Sequence, residues 1–262
     1  MHPVSASLLS ILVTCIALVL SGRAGAAPVD ELRKIGAGML QSWERTKADD
    51  SRVKQTNRCT FPAITGGSNG DIVTAVAPNE TQFRTGDRIV AIDGAMDAPF
   101  FEVLSAIEPG TTVAVSLLRN SETVVEEAVC LDSSTTSSMI DRLYTSMSEG
   151  NAAGCLGVLE ELHQVRGTNA NGIWNYSVCE WAEKGTDPDW LKNEYPKTIY
   201  EFAIAEMNEA AWISVHEDPP FSDYEPKLSS YIEGLSARGF PELGAILEQQ
   251  YKEIASKLSE SD

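Results

Sequence analysis

The sequence predicts an α+β protein in which a small β-barrel or β-sandwich domain is followed by an all-α helical domain. Between residues 57 and 132, short apolar runs rich in Val and Ile are separated by Gly, Pro and Asn, a pattern typical of strands and turns. After residue 136, apolar residues recur every three or four positions, which is the period of a helix. The polar segment SSTTSS at 133–138 lies between the two patterns and is typical of a linker.

The first 26 residues are predicted to be a signal peptide and not part of the fold. The apolar run SLLSILVTCIALVL is followed by the small residues Ala24 and Ala26, which suits cleavage before Ala27. The alternative is an uncleaved membrane anchor, but the run is shorter than the roughly 20 residues that a membrane span needs. We therefore expect export to a periplasm or to the outside of the cell, without stable membrane insertion after cleavage.

The chain is strongly acidic, which limits the partners that it can have. It contains 38 Asp and Glu residues against 20 Lys and Arg, for a net charge of −18. Such a chain repels nucleic acid and anionic lipid, so neither is an expected partner. The oligomeric state is left open by the sequence.

Residues 27–56 are predicted to hold a short amphipathic helix followed by a link. The link is KADDSRVKQTN, which carries several charges and no apolar period. The apolar stripe of the helix consists of Leu32, Ile35, Met39, Leu40 and Trp43.

Four strands and one helix are predicted within 57–132. The strands are DIVTAVAP, RIVAIDG, TTVAVSLLRN and TVVEEAVCL. The helix lies between the second and third strands, where Asp97 can cap it, Pro99 suits its first turn and Pro109-Gly110 stops it. Its apolar face consists of Phe100, Val103, Leu104 and Ile107.

The helical domain, residues 136–262, is predicted from a series of apolar stripes. The segment TIYEFAIAEMNEAAWISV is long and rich in alanine, as expected of a buried helix. The other stripes are Ile140, Leu143 and Met147; Leu156, Leu159 and Leu162; and Leu243, Ile246, Leu247, Tyr251, Ile254 and Leu258.

Four cysteines remain after signal cleavage, and an even number in an exported chain indicates two disulfides. Three pairings are possible. We favour Cys59 with Cys130 and Cys155 with Cys179, because each pair then stays inside one predicted domain. Free buried thiols are the alternative. The sequence has no CxxC motif, so neither a redox site nor a zinc ribbon is indicated, and no cofactor or metal is expected.

The segment RTGDRIVAIDG, residues 84–94, carries the most specific local pattern. Gly86 tolerates a backbone conformation that a side chain disfavours, and Asp87 can accept hydrogen bonds from nearby backbone amides. The segment from Ile89 to Ile92 then forms a buried strand, and Asp93-Gly94 turns the chain. These are structural roles, and no catalysis follows from them.

The order of a strand, GDRIVAIDG, a helix, a Pro-Gly and the strand EPGTTVAVSLLRN resembles a PDZ domain of the type found in bacterial exported proteins. The resemblance covers roughly residues 57–131. The sequence departs from that family between VAP and TGD, where NETQFR replaces a short helix rich in alanine and glycine.

The resemblance implies a groove that binds an extended peptide, often with a free carboxyl terminus. In such domains the peptide adds a strand to the sheet edge, and a loop before that strand holds the carboxylate. Here the loop falls near Arg58 and Cys59, the receiving strand at 61–64, and the opposite wall on the helix. The implied peptide-binding residues are Thr60, Phe61, Pro62, Ala63, Ile64, Phe101 and Leu104.

Patterns that suggest catalysis are weak in this chain. GGSNG, residues 66–70, matches the nucleophile motif G-x-S-x-G, but a strand follows Ser68 where a helix is needed, so a hairpin turn is favoured. His163 and His216 are the histidines of the mature chain, and neither lies in a triad or metal-binding motif. No catalytic residue is predicted.

The sequence therefore predicts an exported adaptor that binds a peptide or protein through its PDZ-like module, without enzymatic activity. One alternative is a regulator of a separate exported protease. Another is an enzyme whose site lies in the helical domain, and this alternative predicts a concave site where His163 or His216 meets carboxylates.

Overall fold

The computed structural model describes residues 28–49, 59–67, 69–95, 100–216 and 220–259, and the predicted signal peptide lies outside them. The described strands are β1 (Cys59–Thr60), β2 (Ala63–Gly66), β3 (Ile72–Val76), β4 (Arg88–Ile92), β5 (Thr112–Arg119), β6 (Glu122–Val129) and β7 (Leu131–Asp132). The described helices are α1 (Pro28–Asp49), α2 (Phe100–Ser105), α3 (Ser133–Glu149), α4 (Ala152–Arg166), α5 (Ala170–Lys184), α6 (Pro188–Asn193), α7 (Tyr195–His216), α8 (Glu225–Ala237) and α9 (Pro241–Ser259). The mixed α and β composition confirms the predicted α+β class.

Five strands form an antiparallel sheet in the order β2-β3-β4-β5-β6, so that β2 and β6 are its edges. The segment GGSNG joins β2 to β3 as the predicted hairpin, although Ser68 itself lies outside the described residues. Asn120 and Ser121 turn the chain from β5 into β6 with positive φ angles of 50° and 66°. β1 and β7 pair separately, with Cys59 opposite Asp132.

The sheet and α2 share an apolar core. The predicted face of the helix packs against this core, with Leu104 buried inside it and Phe100, Val103 and Ile107 at its border. The disulfide between Cys59 and Cys130 lies in the same core and confirms the predicted pairing. The other buried members are Phe61, Ala63, Val73, Phe83, Ile89, Ile92, Val113, Val115, Leu117 and Ala128.

Helix α1 is longer than predicted, because it runs for 22 residues and takes in the first part of the predicted link. Its stripe packs on α3: Leu32 is fully buried in one cluster with Leu143 and Met147. A Cβ atom at Gly36 would lie 2.4 Å from the carbonyl carbon of Met147, so the two helices approach as closely as glycine allows. The first helix therefore packs with helices that follow the sheet in the chain.

The prediction of a linker at 133–138 is wrong, because these residues form the first turns of α3. Asp132, the last residue of β7, accepts a hydrogen bond from the backbone N–H of Ser134 at 2.8 Å and caps the helix. A carboxylate is among the preferred groups at this position, and Ser and Thr are tolerated behind it. β7 therefore passes directly into α3, which Gly150 ends with a φ of 74°.

The remaining helices form two apolar clusters. Cys155 on α4 is bonded to Cys179 on α5 within the first, which confirms the second predicted pairing. The second cluster gathers α7, α8 and α9, and it includes the segment TIYEFAIAEMNEAAWISV as part of α7. The core members of this second cluster include Phe202, Met207, Tyr231, Leu235 and Leu247.

The helices contact the sheet at three glycines. A Cβ atom at Gly86 would lie 3.1 Å from the Trp212 ring of α7, and one at Gly66 would lie 3.0 Å from Thr74 and 3.7 Å from Glu209. At Gly167, between α4 and α5, a Cβ atom would lie 2.1 Å from the carbonyl oxygen of Val76. The limits of the two predicted domains stay a prediction, but the sheet is in close contact with the helices.

None of the helices in the described part of the chain is both long enough and apolar enough to cross a membrane.

Candidate functional site

The strand that the resemblance assigns to peptide binding, β2, is an edge strand. Among the described strands it pairs with β3 alone, with Ala63 opposite Val76 and Ile64 opposite Ala75. The carbonyl oxygen of Pro62 accepts a hydrogen bond from the Ala77 N–H at 2.8 Å, which fixes the entry of the strand. An edge strand of this kind leaves backbone groups on one side that can pair with an added chain.

The residues predicted to line the groove fall into two groups. Phe61, Ala63 and Leu104 are buried together in the apolar core, and the ring of Phe61 lies 5.0 Å from that of Phe83. Their side chains therefore hold β2 and α2 around one core. Thr60 lies in β1, opposite Leu131, and Pro62 is partly exposed.

Two further groove residues differ from this group. Ile64 is partly buried and lines a cleft between β2 and the helices. The side chain of Phe101 lies outside the described residues. The structure thus brings together Phe61, Ala63 and Leu104, and places the Ile64 side chain against the helices.

The segment RTGDRIVAIDG forms the predicted turns. Gly86 and Gly94 have positive φ angles of 88° and 78°. Asp87 accepts a hydrogen bond from the Arg84 N–H at 2.8 Å, as predicted, and is also held by Nε and Nη2 of Arg119, each at 2.8 Å. The hydrogen bonds with Asp87 raise the pKa of Arg119. The segment is a scaffold that ties the β4 turn to the end of β5.

His163 and His216 both hydrogen-bond to groups other than carboxylates. The Nδ1 atom of His163, on α4, lies 2.9 Å from the hydroxyl oxygen of Thr168. The Nε2 atom of His216, at the end of α7, lies 3.4 Å from the carbonyl oxygen of Gly86. Within the parts of the chain that the structure describes, no cluster of three or more His, Cys, Asp or Glu side chains could hold a metal ion.

A cleft that we call the helical cleft lies between β2, α3, α4 and α5, with a volume of about 590 Å³. Its polar lining includes Tyr144, His163, Arg166, Thr168 and Asn175. Arg166, Tyr144 and Asn175 were not predicted as site residues, because each lies in a helix whose apolar stripe dominates the sequence pattern. Burial lowers the pKa of Arg166 and raises the pKa of Tyr144.

Three carboxylates also line the helical cleft. Glu160 is exposed and accepts a hydrogen bond from Gln164 at 2.9 Å, while Glu180 pairs with Lys184 at 2.8 Å. Glu201 is exposed. The cleft therefore places His163 in the same concave surface as acidic residues, but its hydrogen-bond partner is Thr168.

A second cleft, of about 460 Å³, separates β3 from α7 and adjoins the first at His163 and Thr168. Glu209 lines it, and burial raises the pKa of this carboxyl, an effect that repulsion by Glu206 increases. A hydrogen bond with the Ala170 backbone acts in the opposite direction.

A buried polar cluster lies behind Glu209, around Glu206. Its carboxylate accepts a hydrogen bond from the Tyr231 hydroxyl at 2.8 Å and pairs with Lys227. The Tyr224 hydroxyl donates to the Ala203 carbonyl at 3.1 Å. Burial, followed by the charge of Glu206, raises the pKa of both tyrosines. The cluster joins α7 to α8 and is satisfied internally.

Comparison of the chain with protein-family models, with curated proteins and with solved structures finds no match.

Proposed function

We propose that the chain is an exported adaptor that binds an extended peptide, or the carboxyl-terminal segment of a protein, by strand addition at β2. The observation that carries the proposal is the edge position of β2, beside a short helix that packs on the same core. Strand addition needs a free edge for backbone hydrogen bonds and a neighbouring wall for side chains. The order of elements also follows the PDZ resemblance of the sequence.

The disulfides support the assignment to an exported protein. Cys59 is bonded to Cys130 and Cys155 to Cys179, and such bonds persist in oxidising compartments. The first bond lies directly before β2 and fixes the loop that would hold a ligand carboxylate. A fixed loop loses less entropy on binding than a flexible one.

The test uses the full mature chain, because α7 and the segment after α4 contact the sheet at Gly86 and Val76. Labelled peptides with free or amidated carboxyl termini are screened by fluorescence anisotropy. Hydrogen exchange of the best complex then maps the site. We expect slower amide exchange at 63–66 and in α2.

The other edge of the same sheet provides the matched control. β6 spans Glu122–Val129 and is the longer of the two edge strands of the five-stranded sheet. Its amides should exchange at the same rate with and without peptide. Protection at β6 instead of β2, or no binding from the whole peptide panel, would count against the proposal.

The regulator of a separate exported protease is a narrower form of the same proposal, in which the bound segment belongs to a protease. An enzyme with its site in the helical domain is the second candidate, and the presence of His163, Glu160, Glu180 and Glu201 in the lining of the helical cleft favours it. A panel of chromogenic ester, peptide and glycoside substrates tests this candidate. Turnover that His163→Ala abolishes and His216→Ala preserves would support it, and the absence of turnover would count against it.

A further inference from the structure

Arg166, the last residue of α4, is a partly buried cation that has no carboxylate partner among the described residues. Its Nε atom is buried and makes no hydrogen bond, and no described carboxylate lies within ion-pair distance of its guanidinium. This contrasts with Arg119, whose guanidinium is held by both carboxylate oxygens of Asp87. In a chain with 38 acidic residues, an unpaired arginine in a cleft is an unusual arrangement.

The missing partner has an energetic meaning. A guanidinium keeps its charge at neutral pH even where burial lowers its pKa, because the ordinary value is so high. A buried charge without a counter-charge is unfavourable, and a carboxylate that enters the site would offset that cost. The planar guanidinium donates two parallel hydrogen bonds to a carboxylate, which adds geometric selectivity.

Asn175 on α5 supplies a second, independent observation. The residue is only 7% exposed, lines the same cleft, and has a buried Oδ1 atom without a hydrogen-bond partner. Buried polar atoms in folded proteins nearly always have a partner. An unpartnered acceptor at a cleft wall is satisfied by a ligand that carries an N–H or O–H donor.

The rest of the helical cleft fits a small organic acid. Its volume of about 590 Å³ lies within the usual range for small-molecule sites. Ile140, Leu159 and Ile173 provide apolar walls, and Thr168 provides a hydroxyl beside His163. Because the site holds one permanent cation among several carboxylates, it suits a singly charged carboxylate better than a phosphate dianion.

We propose that the helical cleft binds a small carboxylic acid with an apolar body and a hydrogen-bond donor close to the carboxylate. Arg166 binds the carboxylate, and Oδ1 of Asn175 accepts the hydrogen bond from the ligand. The site goes beyond the proposed peptide groove, because its recognition residues lie on α4 and α5.

The first experiment uses the wild-type mature chain and three probes of similar shape: α-hydroxyisocaproate, isocaproate and the neutral α-hydroxyisocaproamide. Titration calorimetry measures each affinity. We expect the amide to bind at least about tenfold more weakly than the hydroxy acid, because it cannot form the charged hydrogen bonds with Arg166. Isocaproate should bind about fivefold more weakly, because it lacks the donor for Asn175.

Two pairs of variants assign the effects to residues. Arg166→Gln should weaken α-hydroxyisocaproate at least about tenfold, while Arg142→Gln, which removes the same charge from an exposed arginine of α3, should leave it unchanged. Asn175→Leu should abolish the preference for the hydroxy acid over isocaproate. Circular dichroism establishes that each variant is folded. If a variant does not fold, the titrations of the wild-type chain with the three probes still test the proposal.

Several results would overturn the proposal. These are equal binding of the acid and its amide, equal effects of Arg166→Gln and Arg142→Gln, or no binding of either acid at millimolar concentration. Inorganic phosphate that binds in an Arg166-dependent way and more tightly than both acids would overturn the carboxylate class. A leucine-terminated peptide that binds more than tenfold tighter than the hydroxy acid through Arg166 would overturn the assignment to a small molecule. None of these results bears on strand addition at β2, which the hydrogen-exchange experiment tests separately.

Discussion

At the scale of single residues, two arginine–carboxylate pairs with two hydrogen bonds each differ in burial, and the buried arginine, Arg119, also pairs with Glu126 at 3.4 Å. The side chains of Asp87 and Arg119 are 2% and 12% exposed, whereas those of Glu161 and Arg142 are 46% and 52% exposed. Both arginines bind both carboxylate oxygens. Removal of one carboxylate charge from each pair therefore compares a buried ion pair with an exposed one.

We expect Asp87→Asn to lower the free energy of unfolding by about 3 kcal/mol, since it removes the buried carboxylate that holds Arg119 and leaves only Glu126, at 3.4 Å, as a counter-charge. Glu161→Gln removes the same charge from an exposed pair and should cost less than about 1 kcal/mol. Urea unfolding at neutral pH, with the disulfides intact, measures both. Similar losses in the two variants would mean that Glu126 is a sufficient counter-charge for Arg119.

Glycines in turns permit a second comparison of this kind. Gly86 and Gly94 both have positive φ, but only Gly86 faces the Trp212 ring, while a Cβ atom at Gly94 would meet nothing within 4 Å. Gly94→Ala should cost about 1–2 kcal/mol from backbone strain alone. Gly86→Ala should cost more, because Trp212 must also move. Thermal and urea unfolding measure the difference. Equal losses of unfolding free energy in the two variants would show that the Trp212 side chain moves away from residue 86 without a measurable cost.

At the scale of elements, the interior face of α7 carries a carboxylate that opposes stability. Burial raises the pKa of Glu209 in the folded chain, so its ionised form costs stability above that raised pKa. The cost disappears as the pH falls below the ordinary value of 4.5, where the group is protonated whether folded or unfolded.

We therefore expect Glu209→Gln to stabilise the chain at neutral pH and to have progressively less effect as the pH is lowered. Glutamine can still accept the hydrogen bond from Ala170, so the helix contact is kept. Urea unfolding at a series of pH values measures this trend. Glu201→Gln, at an exposed position of the same helix, is the matched control and should change little. A stabilisation by Glu209→Gln that is independent of pH would contradict the account.

The sequence predicts where helices and strands form better than it predicts which elements pack against one another. The period of the Leu32 stripe predicts a helix, but nothing in it indicates that Met147 is the partner. SSTTSS is helical because Asp132 caps it, a contact that composition does not display. The aromatic and aliphatic residues Phe61 and Leu104 suit a groove or a core equally well in a sequence, and here their side chains are in the core.

The candidate site shows the same limit. The strand β2 is not among the four strands that the sequence pattern predicts, and only the PDZ resemblance indicated a strand at 61–64. The unpaired state of Arg166 could not be predicted, because it depends on which carboxylates the fold brings near and which it keeps away. The burial of Asn175 could not be predicted either, since it comes from the packing of α5 against its neighbours.

At the scale of the whole molecule, the disulfides close one segment in the β region and one in the helices. The bonded cysteines are 71 positions apart in the first pair and 24 in the second. In the chain-entropy description these closures stabilise the fold by about 4 and about 3 kcal/mol. The Cys59–Cys130 pair should therefore contribute more than the Cys155–Cys179 pair.

We expect a thiol-reactive probe, added to the denatured mature chain, to label no cysteine unless a reductant is present. Mass spectrometry of the labelled peptides identifies each site. Replacing Cys155 and Cys179 together by serine should leave Cys59 and Cys130 unlabelled and lower the unfolding midpoint. Labelling of Cys59 or Cys130 without reductant would contradict the first bond.

The packing of α1 against α3 has a consequence for the order in which the chain acquires its structure. Trp43 and Asp141 are hydrogen-bonded although they are 98 positions apart. When the chain emerges from its amino end, α1 appears first and has no surface to pack on until α3 has followed the whole sheet. The sheet, with its hairpins, can form in that interval. Docking of α1 is therefore expected to be a late step in folding, slowed by the closure of a long loop, and until then its apolar stripe is open to association.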